Sequence, residues 1–154
     1  MKKKNWEGLA ALAYAGLFGY GLWAKLRHFE DYRLQLEQSP APAWMVPLLV
    51  WGVPILEFLV MVLLVRRRWL PYGMAAGLLL LLCFSGWLVL VIWEGAPSCA
   101  CGGWLQDLRP GWHIVLNIAF AAIGLPSSWP AFLRLKNTLN TFLHAKRRRH
   151  PATG

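Results

Sequence analysis

Residues 69–93 read WLPYGMAAGLLLLLCFSGWLVLVIW and contain no charged side chain. A helix needs about 20 consecutive apolar residues to cross the hydrocarbon core of a bilayer. The run exceeds that length, and its terminal residues Trp69 and Trp93 match the aromatic belt found at membrane interfaces. This stretch therefore predicts a membrane-spanning helix and decides the fold class.

Two more apolar runs precede it. The first extends from Trp6 to about Leu26, and the second extends from Trp44 to Val65. The first follows Lys2–Lys4 and so also fits a signal peptide, but it is longer than a signal-peptide apolar region, which favours a span. In the second run Pro47 and Pro54 predict a kink, because proline removes a backbone donor.

A fourth run begins near His113 and is uninterrupted to Leu125, after which Pro126–Pro130 intervenes. Its helix would measure about 20 Å, short of a hydrocarbon core of about 30 Å. We expect that the helix starts earlier, continues through the prolines, or crosses where the bilayer is thin. Residues 131–144 place apolar side chains on one helical face, which predicts an interfacial amphipathic helix.

The predicted fold class is therefore all-α: an integral membrane four-helix bundle with a C-terminal amphipathic interfacial helix. We expect residues 1–130 to form the four-span domain. Residues 131–154 would form the amphipathic helix and a basic cytoplasmic tail.

Composition agrees with a membrane protein. Hydrophobic residues make up 57% of the chain and charged residues 15%, whereas soluble domains carry about 25% charged residues. The net charge of +9 comes from basic blocks beside apolar runs, which indicate topology and contact with anionic lipid. We therefore expect membrane lipid, and not nucleic acid, as a partner.

The basic residues also predict orientation. If both termini and the turn at residues 66–68 are cytoplasmic, that side holds 12 of the 16 Lys and Arg residues and the other side holds 4. Cytoplasmic loops of inner-membrane proteins carry such an excess. The loops at 27–43 and 94–112 would then be periplasmic. The first of these has room for a short helix on the membrane surface.

The segment Cys99-Ala100-Cys101-Gly102-Gly103 carries the clearest chemistry. The predicted oxidising compartment favours disulfides. A disulfide across so few residues closes a strained ring, and strain makes a disulfide more reducible. The pair is thus better suited to exchange with a partner than to stabilising the fold.

Two other interpretations of the pair stay open. The thiols can bind a soft metal such as Cu(I), with His113 or Met74 as a further ligand, or they can be inert. Cys83, in the middle of the third run, is expected to be a small buried apolar residue.

Glu57 is the second candidate, because an ionisable side chain inside a span is costly unless it is paired, solvated or neutral. Lys25, at the outer end of the first run, is its obvious partner. Glu57 lies about 20 Å of helix below the outer start of its own run. Unless a kink at Pro54 or a shifted helix start closes that gap, we expect Lys25 to turn outward.

Asn117 predicts a hydrogen bond between helices. His28 and His113 are expected to be solvated interfacial residues. The chain contains no phosphate-binding glycine loop, nucleophile elbow or zinc pattern.

Four motifs appear in a characteristic order: Lys25-Leu26 with Phe29, Pro54-Ile55-Leu56-Glu57, the Cys99–Gly103 segment, and Trp112 with Leu116-Asn117. In this order and spacing the chain resembles the MauE branch of the DoxX-like membrane proteins, over about residues 6–125. The family typically shows Cys-x-Cys-Phe-Gly, whereas this chain has Gly102 in place of the phenylalanine. The change leaves the thiol pair intact and bears on its packing or its partner.

The resemblance implies a four-helix inner-membrane bundle that assists disulfide formation or maturation of periplasmic proteins in methylamine utilisation. Cys99 and Cys101 would exchange with a thioredoxin-like partner or client protein. Glu57 would support proton or quinone chemistry, with a quinone as electron acceptor. The alternatives are a non-catalytic subunit that anchors a larger membrane complex, and metal handling by Cys99, Cys101 and His113.

Overall fold

The computed structural model describes residues 2–95 and 110–149. Within them the chain forms five helices and no strand: α1 Lys2–Arg27, α2 Phe29–Glu37, α3 Val46–Val65, α4 Leu70–Trp93 and α5 Pro110–Arg149. Four segments are long and apolar enough to cross a membrane: Asn5–Arg27, Val46–Val65, Leu70–Trp93 and Gly111–Arg134. The prediction of an all-α chain with four spans is confirmed.

The outward faces of these spans are apolar. At most 28% of each span is buried inside the protein. Large apolar side chains such as Leu12, Leu48 and Leu79 are more than 60% exposed. In a bilayer these positions contact lipid, and each helix satisfies its own backbone hydrogen bonds there.

The loop predicted at 27–43 contains the short helix α2. Its side chains Tyr32 and Leu36 are buried against Val46 and Val50 in the first turns of α3. The Tyr32 hydroxyl donates a hydrogen bond to the Leu49 carbonyl, with 2.9 Å between the oxygens. The short helix is thus packed onto the beginning of α3.

Helix α3 begins at Val46, so Pro47 lies in its first turn. No intrahelical hydrogen bond is lost there, because the first backbone N–H groups of a helix lack a partner in any case. Pro54 lies inside the helix and is buried.

Helices α3 and α4 form a tight hairpin. The predicted turn at Arg66–Arg68 is confirmed, and its side chains are exposed. The helices touch closely just beyond it, since a Cβ built at Gly73 would lie 3.0 Å from backbone atoms of Leu63 and Leu64. Helix α4 ends at Trp93, and Gly95 follows it with a φ of 65°, the left-handed conformation common after a helix C-terminus.

Helix α5 explains how the short fourth apolar run can cross the membrane. It starts at Pro110 and continues through Pro126 and Pro130 without interruption. Two of the three expected alternatives are therefore realised together. The tail after residue 130 is a continuation of α5 and not a separate helix. At 40 residues the helix is about 60 Å long, which exceeds any hydrocarbon core.

Tyr14 holds α1, α4 and α5 together. Its side chain is fully buried, and its hydroxyl donates to the Phe120 carbonyl at 3.0 Å. A Cβ built at Gly77 would lie 2.8 Å from the Tyr14 ring, and one at Gly124 would overlap the Tyr14 hydroxyl. Two glycines therefore let both neighbouring helices approach this tyrosine, as is usual for helix packing in membranes.

We expect Gly124→Ala to lower the free energy of unfolding by about 1–3 kcal/mol, because the new methyl group forces Tyr14 out of its place. The measurement is thermal unfolding of the purified protein in detergent. Gly16→Ala is the control, since a Cβ there meets no atom within 4 Å. Tyr14→Phe should recover part of the loss in the Gly124→Ala protein. Equal stability of the two alanine variants would contradict this packing.

Candidate functional site

A half-open cavity of about 370 Å³ lies between the helices, and all five helices contribute to its wall. Most of its lining is apolar. The polar or reactive side chains that reach it are Lys25, Tyr32, Glu57, Cys83, His113 and Asn117.

A buried ion pair forms part of this wall. The Lys25 ammonium lies 2.8 Å from Glu57 Oε1, and the two side chains are 5% and 3% exposed. Lys25 Nζ also donates to the Gly21 carbonyl at 3.4 Å. Such a pair is costly to desolvate, but it is far more costly to leave either charge alone in apolar surroundings.

Lys25 therefore does not turn outward, because a shifted helix start, which the prediction named as an exception, closes the gap in depth. The first turns of α3 pack against α2, so α3 extends past the end of α1. In addition, helical side chains lean toward the helix N-terminus. The Lys25 side chain runs back one turn to the level of Gly21, where it meets Glu57.

Gly21 leaves the space that the pair occupies. A Cβ built there would lie 3.2 Å from Glu57 Oε1 and 3.4 Å from Lys25 Nζ. Those separations are tight for carbon against polar atoms, so a side chain at this position presses directly on the pair.

Tyr32 of α2 covers the pair. Its ring centroid is 6.0 Å from Lys25 Nζ, and the Phe84 centroid lies 5.7 Å from the same atom, within cation–π range. Burial, and secondarily the negative charge of Glu57, raise the pKa of the Tyr32 hydroxyl above its usual range. The hydroxyl donates its hydrogen bond to the Leu49 carbonyl.

Two buried polar atoms in the cavity wall have no hydrogen-bond partner among the described residues. They are Glu57 Oε2 and His113 Nε2. His113 is 4% exposed, so the prediction of a solvated interfacial residue is wrong for it. Buried polar groups are normally satisfied, and unpaired ones beside a cavity indicate a place for a polar ligand or water.

Of the other predicted residues, two behave as expected and one does not. Asn117 Nδ2 donates to Ser85 Oγ at 3.2 Å between α5 and α4, which confirms the expected contact between helices. The His28 side chain is 47% exposed, as expected. Cys83 is exposed at the edge of the cavity, so its predicted burial is wrong.

Cys99 and Cys101 lie outside the described residues. The helices that flank them show where their segment is attached. Helix α4 ends at Trp93 and α5 begins at Pro110, and His113, in the first turn of α5, lines the cavity. The cysteine segment thus connects at the end of the bundle where α2 covers the ion pair, opposite the Arg66–Arg68 turn.

The other suggested metal ligand is distant from that end. Met74 is fully buried in the core around Tyr14, about 28 Å along α4 from Trp93. Among the described residues no group of three or more His, Cys, Asp or Glu side chains is placed to hold a metal.

Four apolar spans around a partly polar cavity define a multi-pass membrane protein. The family model described as "Methylamine utilisation protein MauE" matches residues 6–131, and the chain belongs to this family. The match covers nearly all of the four spans. Comparison with curated proteins and with solved structures found no match.

The sequence pointed to Glu57 but missed the cavity and the unpaired nitrogen of His113. The sequence signal for the ion pair was a basic residue late in one apolar run followed by an acidic residue in the middle of the next. Depth counted along each helix separately does not bring the two together, because the packing of α2 on the first turns of α3 offsets α3 from α1.

We expect Lys25→Met and Glu57→Gln each to destabilise the protein by about 3–5 kcal/mol, because each leaves one buried charge unpaired. The double variant should lose much less than the sum. Arg33→Met is the control, since the Arg33–Glu37 pair is exposed and such pairs contribute about 1 kcal/mol or less. Additive losses in thermal unfolding would show that the two charges do not depend on each other.

Proposed function

We propose that this protein is a membrane thiol–disulfide exchange protein that assists disulfide formation or maturation of periplasmic proteins in methylamine utilisation. The supporting observation is the placement of Cys99-Ala100-Cys101 in the segment that joins α4 to α5. That segment is attached at the end of the bundle toward which the cavity lies. Membership of the MauE family supports the link to methylamine utilisation.

The compartment follows from charge. The Arg66–Arg68 turn lies at one end of the bundle, and the cysteine segment is attached at the other. The basic tail follows the fourth span on the same side as the turn. The positive-inside rule puts that side in the cytoplasm, and the cysteines in the periplasm of a bacterial inner membrane.

The exchange proceeds through a mixed disulfide. A thiolate of the partner protein attacks one sulfur of the Cys99–Cys101 disulfide and releases the other as a thiolate. The partner's second thiolate then displaces the bound cysteine. The partner gains a disulfide, and Cys99 and Cys101 take up its two electrons. A membrane quinone reoxidises the pair by accepting two electrons and two protons, and Glu57 supports the proton transfer.

We expect Cys99→Ser/Cys101→Ser to leave periplasmic partner proteins with free thiols and to abolish growth on methylamine. The measurement is alkylation of thiols in intact cells followed by mass analysis of the partner proteins. Cys83→Ser is the matched control: it removes the thiol at the cavity edge but keeps a side chain of nearly the same size, so partner oxidation should stay at the wild-type level. Oxidised partners in cells that contain normal amounts of the double variant would refute the exchange function. Loss of partner proteins on gene deletion alone would instead favour an anchoring subunit.

Topology has its own test. In intact cells a membrane-impermeant maleimide should label Cys99 and Cys101 after treatment with a reductant and not before it. That result would place an oxidised pair in the periplasm. Labelling without a reductant would favour reduced or metal-binding thiols. Protection in intact cells, with labelling after lysis and reduction, would reverse the orientation.

A further inference from the structure

The exposed part of the cavity lining lies near the middle of the spans. Among its lining residues, Leu56 of α3 is 48% exposed and Cys83 of α4 is also exposed. Each lies near the midpoint of its own span. Exposed surface at that depth faces lipid, so a molecule that enters here comes from the bilayer.

The opening exists because α3 and α4 diverge. They touch closely at Gly73, near the Arg66–Arg68 turn. Farther from the turn, Val53 and Leu56 of α3 and Phe84 and Trp87 of α4 line the cavity instead. The walls of the opening are therefore apolar and aromatic, which suits a flat ring.

The charges in the cavity wall indicate what kind of ligand the cavity can bind. Lys25 and Glu57 neutralise each other at 2.8 Å, so the wall favours neither an anion nor a cation. Glu57 Oε2 and His113 Nε2 have no hydrogen-bond partner within residues 2–95 and 110–149. Such a wall suits a neutral ring that carries oxygens. In the oxidised ring the oxygens accept hydrogen bonds, and in the reduced ring they can also donate them. The carboxylate oxygen can accept a hydrogen bond from a hydroxyl group of the ring. The imidazole nitrogen can donate or accept a hydrogen bond.

We propose that this cavity binds the headgroup of a lipid-soluble quinone, which enters between α3 and α4. A volume of about 370 Å³ is at the lower end of ligand pockets. It suits a single substituted ring whose tail stays in the opening at Leu56 and Cys83. The role of this quinone as electron acceptor rests on the proposed function, whereas its binding rests on the cavity.

The probe is decylubiquinone, added to the full chain in phosphatidylcholine nanodiscs. The chain carries Cys99→Ser/Cys101→Ser, so that binding is measured apart from thiol exchange. We expect decylubiquinone to raise Tm by about 5 °C at saturation, since a ligand that binds the folded state stabilises it. Decan-1-ol, which has a chain but no ring, should have no such effect.

Two substitutions test the location. Cys83→Trp fills the opening and should abolish the shift in Tm. Leu79→Trp, one helical turn away on a lipid-exposed position that does not line the cavity, should keep it. His113→Phe retains a ring but removes the nitrogens, and it should weaken binding at least tenfold.

Equal shifts with decan-1-ol and decylubiquinone would overturn the proposal, because the cavity would then hold only an alkyl chain. An unchanged shift in Cys83→Trp would place the quinone elsewhere. If quinone binding fails while Cys99→Ser/Cys101→Ser still leaves partner proteins reduced in cells, the quinone site is wrong and thiol exchange stands. If quinone binds but partner oxidation does not need the cysteines, the quinone site stands and thiol exchange is wrong.

Discussion

The Lys25–Glu57 pair constrains the surrounding structure more than any other contact. Two opposite charges buried among apolar helices must stay together, because separating them leaves each charge without solvation. The 2.8 Å contact therefore sets the register of α1 against α3. Gly21 fits this arrangement, because a Cβ there would lie 3.2 Å from Glu57 Oε1 and the carboxylate would have to shift slightly. The short helix α2 completes the arrangement, since Tyr32 covers Lys25 and anchors to the start of α3.

The bundle is closely packed at one end and open at the other. Around Tyr14, glycines on α4 and α5 bring the helices into close contact. In lipid there is no hydrophobic driving force for apolar helices to associate. Close van der Waals packing of this kind is therefore a main source of stability. Toward the other end the helices separate around the charged pair and leave the cavity. Close packing and the cavity thus lie in different halves of the same four spans.

This division suits a protein that works at two surfaces. The segment with Cys99 and Cys101 is attached at the end of the bundle where the helices separate around the cavity, and exposed lining residues of the cavity lie on the lipid-facing side of α3 and α4. Under the proposed function, electrons pass from a periplasmic partner to a carrier in the membrane. The fold brings the attachment points of the thiol segment and the cavity to the same end, which shortens that path.

The sequence by itself determined the four spans, the short helix after the first, the turn at Arg66–Arg68 and the Asn117 contact between helices. These follow from apolar run length, breaker residues and polar groups that must be satisfied locally. The family was also readable from the residues, as was the need of Glu57 for a partner inside the span. Only the tertiary structure decided that Lys25 reaches Glu57, that His113 is buried and that Cys83 is exposed. Each of these depends on the offset between helices and on which face of a helix meets a neighbour. Neither quantity is encoded in a helix whose faces are all apolar, because hydrophobicity then no longer distinguishes the side that faces protein from the side that faces lipid.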